Sequence, residues 1–133
     1  MTARGVCDTR IYQDDADRRS FLELLRLSEE RHGWTCHAFC LMTTHYHLVL
    51  EARRDALSCG LHHLNGRYAR GFNGRHGRFG HLFAERYSAR SIENEQYLYD
   101  VCSYVLLNPV KARLCDRADE WRWSYSRFEL EPG

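Results

Sequence analysis

The run Leu41-Met42-Thr43-Thr44-His45-Tyr46-His47-Leu48-Val49-Leu50 constrains this chain more than any other stretch. Its β-branched and aromatic content predicts a buried strand. Side chains on a strand alternate faces, so residues two apart share one. His45 and His47 then project together, while Tyr46 and Leu48 turn to the other side. Two imidazoles fixed side by side on a stiff backbone are half of a metal site. The chain has 8 histidines in 133 residues, so chance placement also fits the pair. The spacing alone names neither a metal nor a reaction.

The neighbouring residues extend this strand into a hairpin. Strands over 34–41 and 45–51 are joined by Met42-Thr43-Thr44. Upstream, the segment 2–12 reads as the end of a strand and a turn. Asp14-Asp15-Ala16-Asp17 then places acids where a helix dipole is positive. Phe21, Leu22, Leu24, Leu25 and Leu27 follow at helical spacing, so a helix is predicted over 16–31, ended by His32-Gly33. A second helix over 56–72 carries Leu57, Leu61, Leu64, Tyr68 and Phe72 as its apolar stripe. The glycine-bearing segment 73–80 reads as a loop, and 86–92 as a strand. Asn94 opens a third helix over 95–107, which Asn108-Pro109 should stop. Trp121, Trp123, Tyr125 and Phe128 form an apolar tail that packs back as a short helix. The order predicts one α+β domain over 1–133, an antiparallel sheet with helices packed mainly on one face.

Hydrophobic residues make up 44% and charged residues 28%, which excludes a disordered chain. No apolar run approaches the ~20 residues of a membrane span, and no signal peptide is visible. A soluble cytoplasmic protein with no membrane partner is expected. The 6 cysteines include no Cys-x-x-Cys pair, so they read as reduced, small apolar side chains. Zinc held by Cys36, His37 and Cys40 is the competing reading, although neighbours on one strand make a poor tetrahedral cage.

The net charge of +1 conceals a local excess. Of the basic residues, only Lys111 is a lysine. Arg67, Arg70, Arg75, Arg78, Arg86 and Arg90 share their stretch with a single acid, Glu85, and with Tyr68, Phe72, Phe79, Phe83 and Tyr87. Arginine forks suit phosphates and rings stack on bases, so this pattern points to single-stranded nucleic acid. A solvated loop beside core aromatics is the bland alternative. In the third helix Tyr104 and Asn108 lie four residues apart and share a face. A phenol and a carboxamide pointing together could be a nucleophile and a ligating oxygen, but such pairs are also common by accident.

Taken in order, these residues resemble one family. Besides His45-Tyr46-His47, the resemblance rests on the following segments: Asp14-Asp15-Ala16-Asp17-Arg18, Leu41-Met42, Leu64-Asn65-Gly66-Arg67-Tyr68, Gly80-His81-Leu82-Phe83, Arg86-Tyr87, Tyr104-Val105-Leu106-Leu107-Asn108-Pro109-Val110-Lys111-Ala112 and Trp121-Arg122-Trp123-Ser124. The chain resembles the REP-associated tyrosine transposases, relatives of the single-tyrosine insertion-sequence transposases of the HUH superfamily. The resemblance implies a ferredoxin-like, HUH-type nuclease domain. It implies Mg²⁺ or Mn²⁺ held by His45, His47 and Asn108, with Tyr104 as nucleophile. It implies strand cleavage and rejoining of hairpin-bearing single-stranded DNA through a 5′-phosphotyrosine link, by a monomer or a homodimer located on the nucleoid when bound to DNA. Arg4, Arg67, Arg70, Arg75, Arg78, Arg86 and Arg90 are the candidate DNA contacts. Thr43-Thr44 replaces the Pro-Asn usual in the family, and the first strand is expected to be truncated near Thr2-Ala3-Arg4-Gly5. The alternative is a domesticated or inactive protein that binds hairpin DNA without cutting it.

Overall fold

A four-stranded antiparallel sheet of order β1-β3-β2-β4 forms the middle layer. Its strands are β1 (Thr2–Arg4), β2 (Thr35–Leu41), β3 (His45–Glu51) and β4 (Ser124–Ser126). The helices are α1 (Asp15–His32), α2 (Arg54–His76) and α3 (Glu95–Lys111). The coordinates are a computed structural model describing residues 2–4, 10–83 and 94–128. The α+β plan is the expected one. The strand predicted over 86–92, with Arg86 and Arg90, lies outside the described residues.

The β2–β3 hairpin is apolar on both faces, and both are covered. Tyr46 and Leu48 of β3 pack with Phe21, Leu25, Leu61, Leu64 and Tyr68 from α1 and α2. On the other face Ala38, Cys40, Met42 and Val49 pack against Cys102 and Val105 of α3. Two of the three helices therefore share one face, and α3 takes the opposite one. The hairpin turn is gripped from several directions. Met42 N donates to His45 O at 2.9 Å, Ile11 N to Thr43 O at 3.0 Å and Leu41 N to Trp123 O at 2.8 Å. Arg18 Nη2 and Trp121 Nε1 donate to the carbonyls of Met42 and Leu41, each at 3.0 Å. Buried carbonyls satisfied this way fix the point where β3 begins.

Three local expectations are corrected. First, a β-bulge shifts the β2–β3 register between Cys36 and Ala38, with His37 as the extra residue. An extra residue flips everything before it to the other face. Cys36 accordingly packs on the α1–α2 cluster while Cys40 lies in the α3 cluster. The two thiols cannot share a zinc ion with His37. Burial pushes both up to about 12, which further disfavours the thiolates that zinc requires.

Second, α2 continues past Phe72 through Gly74 to His76. It stops at Gly77, whose φ of 62° is the left-handed conformation that glycine adopts readily. The last turn survives its glycine because Arg75 and His76 are tied to α1. Arg75 Nη1 reaches Asp14 Oδ1 at 2.7 Å and Asp17 Oδ1 at 2.8 Å, and His76 Nε2 lies 2.8 Å from Asp17 Oδ2. Tertiary contacts of this kind override propensity. Third, the tail supplies edge strand β4 after a short 3-10 turn (Ala118–Glu120) rather than a helix.

No helix among the described residues is long and apolar enough to cross a membrane. The described residues of the first strand, Thr2, Ala3 and Arg4, pair with His47, Tyr46 and His45.

Candidate active site

His45 and His47 stand on the α3 face of the sheet. In the regular part of the ladder His47 opposes Cys40 and Val49 opposes Ala38, both members of the α3 cluster. The two imidazoles are half-buried. Their ring centroids lie 4.9 Å apart with the planes at 90°. The strand period brings the rings together as the sequence predicts. Thr44, which with Thr43 stands where the family usually has Pro-Asn, touches this pair: its Oγ1 is 3.2 Å from His45 Nδ1. In the tautomer that donates from Nδ1 to Thr44, the metal-binding lone pair is on Nε2.

Helix α3 crosses this face. Its cap is Asn94, which accepts from Tyr97 N at 2.8 Å. Cys102, Val105 and Pro109 are buried along one side. Tyr104, on the neighbouring stripe, is 54% exposed. The sequence predicts that Asn108-Pro109 ends the helix, yet α3 continues to Lys111. The reason is local. A proline at 109 cannot donate to the carbonyl of Val105 four residues back. Asn108 Nδ2 reaches that carbonyl at 3.3 Å, and that of Tyr104 at 3.1 Å. The side-chain amide replaces the missing backbone N–H. This also decides the orientation of the carboxamide: its nitrogen is turned back on the helix, so Oδ1 is the atom left to ligate.

The extension brings in a residue that sequence reasoning missed. With the helix unbroken, Tyr104, Asn108 and Lys111 recur at i, i+4 and i+7 on one stripe. Lys111 Nζ lies 4.0 Å from the centroid of the Tyr104 ring, well inside cation–π range. A helix read as stopping at Asn108 hides this alignment. The available signal was that Lys111 is the chain's single lysine, placed seven residues after the candidate nucleophile.

Among the described residues no group of three or more His, Cys, Asp or Glu side chains could hold a metal. Among those residues, an ion on His45 and His47 would need a donor of another type, and the amide oxygen of Asn108 is chemically suited. Two neutral imidazoles with one carbonyl oxygen make an open set that fits a labile divalent ion. Of the other tyrosines in α3, Tyr99 packs edge-on against Phe128 at 5.5 Å.

The candidate DNA arginines separate into distinct groups. Arg67 and Arg70 are exposed on α2, which lies across the sheet from the histidine pair. Arg75 is held by Asp14 and Asp17. Arg78 donates to Asn73 Oδ1 at 3.1 Å and to His81 O at 3.0 Å, bracing the turn after α2. Arg4 occupies the β1 position opposite His45.

Comparison with known proteins supplies the family. No curated protein matches the chain in sequence. A solved structure described as a REP-associated tyrosine transposase bound to a REP hairpin superposes with a TM-score of 0.76. It is 14% identical, over 92% of this chain and 72% of that one. At that identity the likeness shows a shared fold. The family model for IS200-like transposases matches residues 7–108, a span that includes the histidine strand, Tyr104 and Asn108. A match over most of the length leaves no ambiguity of membership: the chain belongs to the IS200-like transposases.

Proposed function

We propose that this transposase cuts and rejoins hairpin-bearing single-stranded DNA, with Tyr104 as nucleophile and with His45, His47 and Asn108 holding Mg²⁺ or Mn²⁺. One observation carries the reading: β3 pairs the two imidazoles on the face that α3 crosses, and the exposed stripe of α3 presents a phenol and a carboxamide. The hairpin-bound neighbour in structure supports the substrate class.

The ion, when bound, would draw charge from the scissile phosphate as a Lewis acid. The chain's own residues do the rest. The exposed Tyr104 oxygen attacks phosphorus in line and forms the Tyr–O–P bond as the bond from phosphorus to the 3′-oxygen breaks. The phenolic proton leaves to solvent, and the departing 3′-oxygen takes one up. The products are a 5′-phosphotyrosine and a free 3′-OH, and the stored ester lets the strand be rejoined. Arg67 and Arg70 hold backbone phosphates away from the cut.

The test is a labelled hairpin oligonucleotide incubated with Mn²⁺. A covalent adduct should form, vanish in Tyr104→Phe, and fall at least a hundredfold in His47→Ala. An adduct that persists in Tyr104→Phe gives the nucleophile's role to another residue, with Tyr97 and Tyr99 tested next. Tight hairpin binding with no adduct under any divalent ion would make the protein a hairpin binder without chemistry.

A further inference from the structure

We propose that Thr44 is a positioning residue for the metal site: its hydroxyl oxygen accepts the Nδ1 proton of His45 and so sets that ring to ligate through Nε2. The inference rests on the metal reading proposed above and adds to it a residue outside the ligand set.

A neutral histidine carries one ring proton, and the nitrogen without it is the one that can ligate. In water the proton prefers Nε2. A site that ligates through Nε2 therefore needs an acceptor beside Nδ1 to draw the proton there. Thr44 Oγ1, 3.2 Å from His45 Nδ1, is placed to be that acceptor. Both side chains are half-buried, so water competes less for the bond than it would on an open surface.

The hydroxyl is placed by the fold and not by the ring it touches. Thr44 lies in the turn between β2 and β3, which three other parts of the chain hold. Ile11 N donates to Thr43 O at 3.0 Å, and Leu41 N to Trp123 O at 2.8 Å. Arg18 Nη2 donates to Met42 O at 3.0 Å. The Arg18 guanidinium is itself packed over the rings of Tyr12, Trp121 and Trp123, at 5.2, 5.7 and 5.9 Å. The β-branch of threonine restricts the rotation that carries Oγ1. The acceptor is thus built into the turn that starts the histidine strand.

The exchange of the family's usual Pro-Asn for Thr43-Thr44 keeps this chemistry. A carboxamide oxygen and a hydroxyl oxygen both accept, so an acceptor still stands next to His45. With a cation on Nε2 the Nδ1 proton becomes a stronger donor. The bond to Thr44 then tightens and raises the basicity of the ligating nitrogen. Thr44 acts through His45, which makes it a positioning residue rather than a ligand.

The experiment measures Mn²⁺ affinity from the electron paramagnetic resonance signal of the free ion. It compares the wild type with Thr44→Val, Thr44→Ser and Thr43→Val. Thr44→Val keeps the shape and the β-branch but removes the acceptor, and it should weaken Mn²⁺ binding by about tenfold to a hundredfold. Thr44→Ser should restore most of the affinity, and Thr43→Val, a control for the turn, should leave it unchanged. Thermal melts confirm folding. In a second arm the ring nitrogen resonances of His45 are recorded with Mg²⁺, which is diamagnetic. They should place the proton on Nδ1 in the wild type and less completely so in Thr44→Val. Unchanged Mn²⁺ affinity in the folded Thr44→Val protein overturns the proposal. So does an equal loss in Thr43→Val, a failure of serine to rescue, or a wild-type His45 protonated on Nε2. If the wild type takes up no Mn²⁺, the metal reading itself fails, and the role of Thr44 falls with it.

Discussion

On the α1–α2 side of the sheet, Phe21 has no exposed surface and sits 4.8 Å from Tyr46, 5.3 Å from Tyr68 and 5.8 Å from Tyr12. On the α3 side, Tyr104 is 54% exposed and its ring meets a lysine. One strand serves both sides. Tyr46 faces the aromatic cluster, where its hydroxyl donates to Asn65 Oδ1 at 2.6 Å. His45 and His47, either side of it, face α3. The buried ring is a wedge that holds the strand while its neighbours stay half open. Stability and the proposed chemistry are thereby separated by a two-residue period.

That contrast can be broken from either side. Phe21→Ala should cost about 3–5 kcal/mol by urea unfolding, because it empties the centre of a packed aromatic cluster. Tyr104→Phe, which on the proposed mechanism should abolish the adduct, should move the same midpoint by under about 0.5 kcal/mol. A comparable loss of stability in Tyr104→Phe would mean that the α3 side also carries the fold.

Gly60→Ala comes next. A Cβ there would lie 2.2 Å from Trp34 Cζ2, and the indole is anchored by Nε1 donating to Ala56 O at 3.3 Å. Overpacking of this kind should cost about 1–3 kcal/mol, read by thermal melting, with adduct formation per folded molecule unchanged.

The ion pair of Arg75 with Asp14, between the start of α1 and the end of α2, gives a pH dependence confined to the same side. Hydrogen bonds from Arg75 hold the Asp14 carboxyl well below its ordinary range, at about 2. A depressed folded-state value means that the stabilisation is present above the unfolded carboxylate's value of about 4. It is lost as pH falls through about 2. Urea midpoints should therefore drop across that window in the wild type and less steeply in Arg75→Gln.

The smallest effect belongs to Lys111. If its ammonium holds the Tyr104 ring, Lys111→Met should slow adduct formation by about two- to fivefold, and Lys111→Arg should restore most of it. Hairpin affinity and urea midpoint should be unchanged. Equal loss in both variants would leave Lys111 without a part in orienting the ring.

The sequence alone determined the hairpin, the three helices, the histidine pair and the ordered set of residues that carries the family. These are local signals: alternation, helical periodicity and spacing survive without knowledge of neighbours. It misplaced the end of α3, because proline breaks a helix unless something replaces its missing donor, and here the preceding Asn108 does so. It could not see that a bulge at His37 sends Cys36 and Cys40 to opposite faces, since one extra residue leaves no mark in composition. It grouped Arg67, Arg70, Arg75 and Arg78 as one basic stretch. Only the packing of α1 against α2 divided them, binding Arg75 to Asp14 and Asp17 while Arg67 and Arg70 form no ion pair among the described residues. Charge pairing between helices depends on which residues meet across the groove. That is a property of the tertiary structure, and it decided which cations are neutralised within the fold.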